Sequence, residues 1–198
     1  YRFARGESVG LAPYDADGRA TRTARLTRPL DFTAVTDHSE FLAETDLCTT
    51  AGSALYDTRT CREQRETRLV AATDYALPLS SRMPARPAIC RNENAELCAA
   101  RLRTVWEETQ QAAEEAYDRS DECRFTSFVG YEWTGSPGAN NLHRNIIFRN
   151  ASVPRSPTSY IEAPTPDQLW RALDRDCLAT GTPCDALAIP HNSNQSAG

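Results

Sequence analysis

The sequence predicts an α/β fold, on three observations. Short apolar, β-branched runs recur at residues 30–36, 125–131, 146–148 and 186–189, each the length of a buried strand. Two stretches of helical period lie between them, near 95–119 and 166–177. Helices that alternate with buried strands are the sequence mark of α/β layers.

Taken in order, residues 1–6 read as the tail of a helix closing at Gly6. The first strand, 30–36, ends on Asp37 and His38. Residues 43–94 differ in kind. They are rich in Thr, Arg, Ser and Pro, carry four cysteines and lack clear periodicity. A structureless stretch of this length is unusual inside a compact domain. It reads as an irregular, disulfide-stapled insertion with one short helix near 62–72. The long helix at 95–119 puts Leu97, Leu102, Val105, Trp106, Ala113 and Tyr117 near one face, with Asn94 as its cap. The second strand ends at Glu132. The link from Trp133 to Leu142 is too short for a parallel crossover and full of turn residues, so it predicts a hairpin. Glu132 and His143 then lie at the same end of the sheet. Thr165, Pro166 and Gln168 form a helix start with a capping box. The last strand ends on Pro190 and His191.

With 198 residues, the chain is sized for one domain. Mean hydropathy is -0.57, and no apolar run is long enough to span a bilayer. The net charge is -5 and there is no long basic block, which argues against a nucleic-acid partner. All 22 cationic residues are arginine. A lysine nucleophile, a Schiff base and a P-loop lysine are thereby excluded within this segment. Both ends read as interruptions, so the chain is expected to be an internal piece of a longer protein, truncated at each side.

The seven cysteines contain no C-x-x-C pair, which disfavours a zinc ribbon. They fall into local pairs, Cys48 with Cys61, Cys90 with Cys98 and Cys177 with Cys184. This spacing predicts three disulfides and an oxidising, exported location, with seven unpaired cytosolic thiols as the rival reading. In the chain-entropy account, closing the first loop stabilises by roughly 3 kcal/mol. Cys123 is left over, either paired outside this segment or a free buried thiol.

The chemistry concentrates at strand ends. All three histidines, His38, His143 and His191, flank strands, and so does Glu132. In α/β sheets and barrels the loops at strand C-termini converge on the site. Imidazole with carboxylate suits Zn, Mn or Fe. Asp37 beside His38 is placed to orient that ligand or to serve as one.

The motifs Leu30-Asp-Phe with Val35-Thr-Asp-His-Ser-Glu40, Gly130-Tyr-Glu-Trp-Thr134, Asn141-Leu-His-Arg-Asn145 and Ala188-Ile-Pro-His-Asn-Ser-Asn194 resemble an exported bacterial family similar to the polymerase and histidinol phosphatase (PHP) superfamily. That resemblance covers nearly the whole chain. It implies a single PHP-like domain, a fragment of a distorted (β/α)7 barrel, with a two- or three-metal centre at its strand ends. By carry-over His38, Glu132, His143 and His191 are metal ligands, and Asp37, His38 and Glu132 the catalytic set. The superfamily's upstream His-x-His and downstream Asp-x-His motifs do not occur here. The implied function is a metal-dependent hydrolase, of phosphoester bonds, acting on a small and phosphorylated substrate. Arg144, Asn192 and Asn194 are its candidate substrate contacts. Two alternatives stand beside it: a non-catalytic barrel braced by metal, and a secreted, disulfide-rich binding module.

Overall fold

Residues 1–67, 72–190 and 195–196 are described by the computed structural model. The fold is mixed α/β. Strand β3 (Phe32–Ala34) pairs in parallel with β4 (Thr126–Phe128). After a break at 35–37 the same register resumes in a bridge between His38 and Glu132. Glu132 N donates to Asp37 O at 2.8 Å, and Ser39 N donates to Glu132 O at 3.0 Å. The strand expected over 30–36 is therefore shorter, but its direction and pairing continue to His38.

The run expected over 125–131 is two strands, β4 and β5 (Gly130–Trp133), broken at Val129. β5 pairs antiparallel with β6 (Arg144–Phe148), as a hairpin requires, and β6 pairs antiparallel with β7 (Ala186–Pro190). Phe148 N donates to Val129 O at 2.9 Å across the break. The short ladders thus line up as one mixed array in the order β3, β4 and β5, β6, β7. Among the described residues no sheet closes into a barrel.

Strand alternation gives this array two unlike faces. Val129, Tyr131, Trp133, Ile146 and Phe148 are buried on one of them. They pack with Trp106, Ala113, Leu169 and Leu173 from two helices, α4 (Ala95–Ala116) and α5 (Pro166–Leu173). Buried indole N–H groups find acceptors there: Trp106 Nε1 donates to Pro154 O at 2.8 Å, and Trp133 Nε1 to Ala163 O at 2.9 Å. The opposite face is an open groove of about 690 Å³ with Phe32, Phe128, Asn145, Ile147, Leu187 and Ile189 on its walls.

Several expectations need correction. The described residues of 43–94 are more helical than the single short helix expected. They hold α1 (Leu42–Thr49), α2 (Arg59–Glu66), a π-helical turn (Ala72–Ala76) and the short α3 (Leu77–Ser80). Their weak periodicity has a physical cause: a small core of Ala43, Leu47, Leu55 and Ile89 is closed by two disulfides rather than by long apolar helix faces. The helix expected near 62–72 begins earlier, where Thr58 Oγ1 accepts from Cys61 N. α4 stops at Ala116 because Tyr117 is extended, and Asn94 makes no side-chain cap. Residues 1–6 form only a turn, closed at Gly6 with φ 79°. An exposed hairpin, β1 (Val9–Tyr14) with β2 (Ala20–Ala24), was not anticipated. The capping box at Thr165 and Gln168 is present, and a π-helical turn carries the chain past α5 to Cys177. All three expected disulfides form, including Cys177 to Cys184. Cys123 is free but exposed, not buried.

Candidate functional site

The hairpin and the parallel pairing bring three of the expected residues together. His38 leaves β3, Glu132 lies in β5, and His143 precedes β6 by one residue. His38 and Glu132 are bridge partners, and Glu132 faces Asn145 in the β5–β6 register. Glu132 and His143 therefore project from the same side of the array as Asn145, although neither lines the groove.

The carboxylate of Glu132 is the centre of the group and is 8% exposed. His143 Nδ1 lies 2.7 Å from Glu132 Oε1, and His38 Nδ1 lies 3.8 Å from Glu132 Oε2. The two imidazole rings stand edge to face with centroids 6.0 Å apart. Each ring has a hydroxyl neighbour. Thr134 Oγ1 is 2.6 Å from His38 Nδ1, and Ser136 Oγ is 2.9 Å from His143 Nε2. Ser136 Oγ also donates to Asn141 Oδ1 at 3.1 Å.

Backbone bonds fix the spacing of these side chains. Both Ser39 N and Ser39 Oγ donate to Glu132 O, at 3.0 and 2.9 Å. Leu142 N donates to Gly135 O at 2.7 Å, which closes the hairpin loop. Asn141 N donates to Gln195 O at 3.2 Å and so ties the chain beyond β7 to the loop that carries His143.

The other expected residues behave differently. Asp37 supplies its carbonyl to Glu132, as above, but its carboxylate is exposed and alternates to the other side from His38. Burial, and in smaller part the charge of Asp37, push the Tyr1 phenol up from its ordinary value. Arg144 alternates away from His143. Its Nη1 donates to the carbonyls of Leu142 and His143 at 2.7 and 2.9 Å, so it braces the loop backbone. His191, Asn192 and Asn194 lie outside the described residues.

The donor chemistry of His38, Glu132 and His143 suits a divalent cation: both imidazoles face one carboxylate. As they stand, the rings bond to the hydroxyls of Thr134 and Ser136 and flank the carboxylate as ion-pair neighbours. Among the described residues no group of three His, Cys, Asp or Glu side chains is arranged around a metal position.

Sequence reasoning gave no role to Thr134, Ser136, Glu40 or Arg86. Glu40 is fully buried, and its Oε1 accepts from Thr134 N at 2.8 Å and Tyr160 N at 3.0 Å. Burial pushes its carboxyl up, against the pull of those two N–H groups. A signal was available for Thr134. Thr134 follows Glu132 by two, the period of neighbours on one strand face, whereas Glu40 lies in the turn after the His38 bridge, where that period gives no guidance.

A protein-family profile described as "Protein of unknown function (DUF3604)" matches residues 1–198. The chain belongs to the DUF3604 family. No curated protein and no solved structure matches it. Membership in DUF3604 thus assigns no activity. No helix among the described residues of this DUF3604 chain is long and apolar enough to cross a membrane.

Proposed function

We propose that the chain carries part of a metal-dependent hydrolase site for phosphoester bonds, in a PHP-like barrel of which the β3–β7 array is one arc. The observation that supports this reading is the convergence of His38 and His143 on the single carboxylate of Glu132, at the exits of β3 and β5. His191 joins them on its sequence position alone. A bound Zn, Mn or Fe would lower the pKa of a coordinated water and neutralise charge on a phosphoryl oxygen. The protein's own part is positional. Thr134 and Ser136 hold the two rings, Ser39 holds the Glu132 backbone, and Arg144 stiffens the loop between them. The substrate in this reading is a small phosphorylated molecule. The three disulfides fit an exported protein in an oxidising compartment.

The test uses the full-length protein, purified without reductant. Metal content is measured by elemental analysis, and phosphomonoesters and phosphodiesters are assayed with added Zn, Mn or Fe. Activity that needs metal and disappears in Glu132→Ala and His143→Ala is expected. Folded protein that takes up no metal and turns over no phosphoester would sink the reading.

One contact pattern favours a second reading. Ser136 Oγ lies 2.9 Å from His143 Nε2, and His143 Nδ1 lies 2.7 Å from Glu132 Oε1, while the Ser136 hydroxyl donates to Asn141 Oδ1 and would have to turn to His143 to react. Nucleophile, base and orienting carboxylate stand in this order in serine hydrolases. In that case Ser136 would attack an ester carbonyl and pass its proton to His143, which would return it to the alcohol as the ester C–O bond breaks; water would then release the acyl group as the acid. Hydrolysis that survives chelation, labelling of Ser136 by a fluorophosphonate, and loss of both in Ser136→Ala would favour it over the metal reading.

A further inference from the structure

Glu40 is a costly residue for its position. Its side chain is fully buried, yet among the described residues no cation pairs with its carboxylate; Arg86 reaches only its backbone carbonyl. Oε1 accepts two backbone N–H groups, while Oε2 has no hydrogen-bond partner among the described residues. Two N–H bonds offset only part of the desolvation of a carboxylate. What those bonds join is specific. Thr134 N belongs to the exit of β5, and Tyr160 N to a separate turn more than twenty residues further along. The Glu40 backbone itself lies two residues past His38. One side chain therefore clamps the β3 exit, the β5 exit and the 157–163 turn at a common point. Thr134, held in this way, is the residue whose hydroxyl lies 2.6 Å from His38 Nδ1.

We infer that Glu40 is a positioning residue of this site: it holds Thr134, and through Thr134 it fixes the ring of His38. The inference rests on the reading of His38 as a metal ligand. Its geometric content, the chain from Glu40 to Thr134 to His38, can be tested without metal. His143 is not on that chain, since its hydroxyl neighbour is Ser136. A clamp specific to His38 therefore differs from general loosening, which disturbs both rings. Second-shell partners of metal-bound histidines are worth on the order of 10- to 100-fold in metal affinity.

The experiment compares the full-length wild type with Glu40→Met, Glu40→Gln and Thr134→Val. Ring 15N signals of His38 and His143 are recorded by NMR in the metal-free protein, and zinc affinity is measured by competition with a chromophoric chelator. Glu40→Met is expected to shift the His38 ring signals and leave those of His143 in place. Zinc affinity should fall by about 10- to 100-fold. Glu40→Gln keeps the Oε1 acceptor and should restore both readouts. Thr134→Val should reproduce the His38 shift. Unchanged His38 signals in folded Glu40→Met, or equal shifts of both rings, overturn the inference. If Glu40→Met does not fold, Thr134→Val and the protection of the Thr134 and Tyr160 amides against hydrogen exchange decide it: an unmoved His38 ring or fast-exchanging amides overturn it. Zinc binding by the wild type is read separately. Its absence removes the hydrolase reading, and the ring signals then decide the role of Glu40 alone.

Discussion

Replacing Arg86 with methionine should be among the most damaging single changes in the stapled segment. Arg86 comes from residues 43–94 and reaches back to the start of α1. Its Nη1 donates to Glu40 O at 3.0 Å and to Glu44 Oε1 at 3.1 Å, and its Nη2 donates to Glu162 Oε1 at 2.7 Å. The three contacts are unequal. The Glu162 side chain is 44% exposed, so that pair contributes at most about 1 kcal/mol. The Glu44 side chain is 0% exposed, and its Oε2 already lacks a partner among the described residues. Removing Arg86 leaves a buried carboxylate without its cation, which costs about 3–5 kcal/mol. For a chain of this length that corresponds to a melting shift of roughly 6–20 °C.

The loss should depend on pH with a definite sign. Burial pushes the Glu44 carboxyl above its usual value of 4.5, and Arg86 pulls against that shift. Without Arg86 the folded-state value rises further. A carboxyl raised on folding contributes a penalty that is absent below the unfolded value and grows as pH rises through the folded one. The deficit of Arg86→Met should therefore be smallest below about pH 4.5 and largest near neutrality. Urea unfolding of the oxidised protein across that range measures it, and Glu44→Gln in the same background should recover much of the loss. A deficit below 1 kcal/mol at neutral pH, or one that does not change with pH, would refute the argument.

Two further expectations concern the frame of the site. Gly130 sits where β3, β5 and β6 meet, and an added Cβ would lie 2.9 Å from Ile146 O and 3.1 Å from Thr36 Cγ2. Gly130→Ala should destabilise by about 1–3 kcal/mol in denaturant unfolding, because a strand carbonyl cannot step aside; unchanged stability would show that the strands separate easily. Asp118 closes the turn after α4. The Ser120 hydroxyl first, then the Arg124 and Ser120 amides, hold its carboxyl down at about 2. Its contribution is present above the usual 3.8 and lost as pH falls through about 2. Asp118→Ala should melt lower than the wild type at neutral pH and at the same temperature near pH 2, and a gap that persists into acid would contradict the assignment.

The elements that were legible in the sequence share a local cause. The capping box of α5 is written into Thr165, Pro166 and Gln168, and those residues satisfy their own helix start. The β5–β6 hairpin follows from a link too short to cross over. The disulfides pair cysteines that are close in sequence, where the short loop between them limits the alternatives. Helix α1 was not legible and α2 only in part, because their stability comes from disulfides and an arginine that meet them in space. The β1–β2 hairpin escaped for the opposite reason: it is exposed on both faces and carries no burial pattern.

The candidate site divides along the same line. Sequence alone determined which side chains could do chemistry: the chain has three histidines, they lie beside strands, and Glu132 ends one of those runs. Tertiary structure decided how they meet. Parallel pairing set His38 beside Glu132, and the hairpin returned His143 to the same carboxylate, while alternation turned Asp37 and Arg144 away. It also brought in Glu40, Thr134 and Ser136, whose roles depend on contacts across the fold. Residue identity is a property of the chain, but a hydrogen bond between positions 40 and 134 exists only once strand register is fixed.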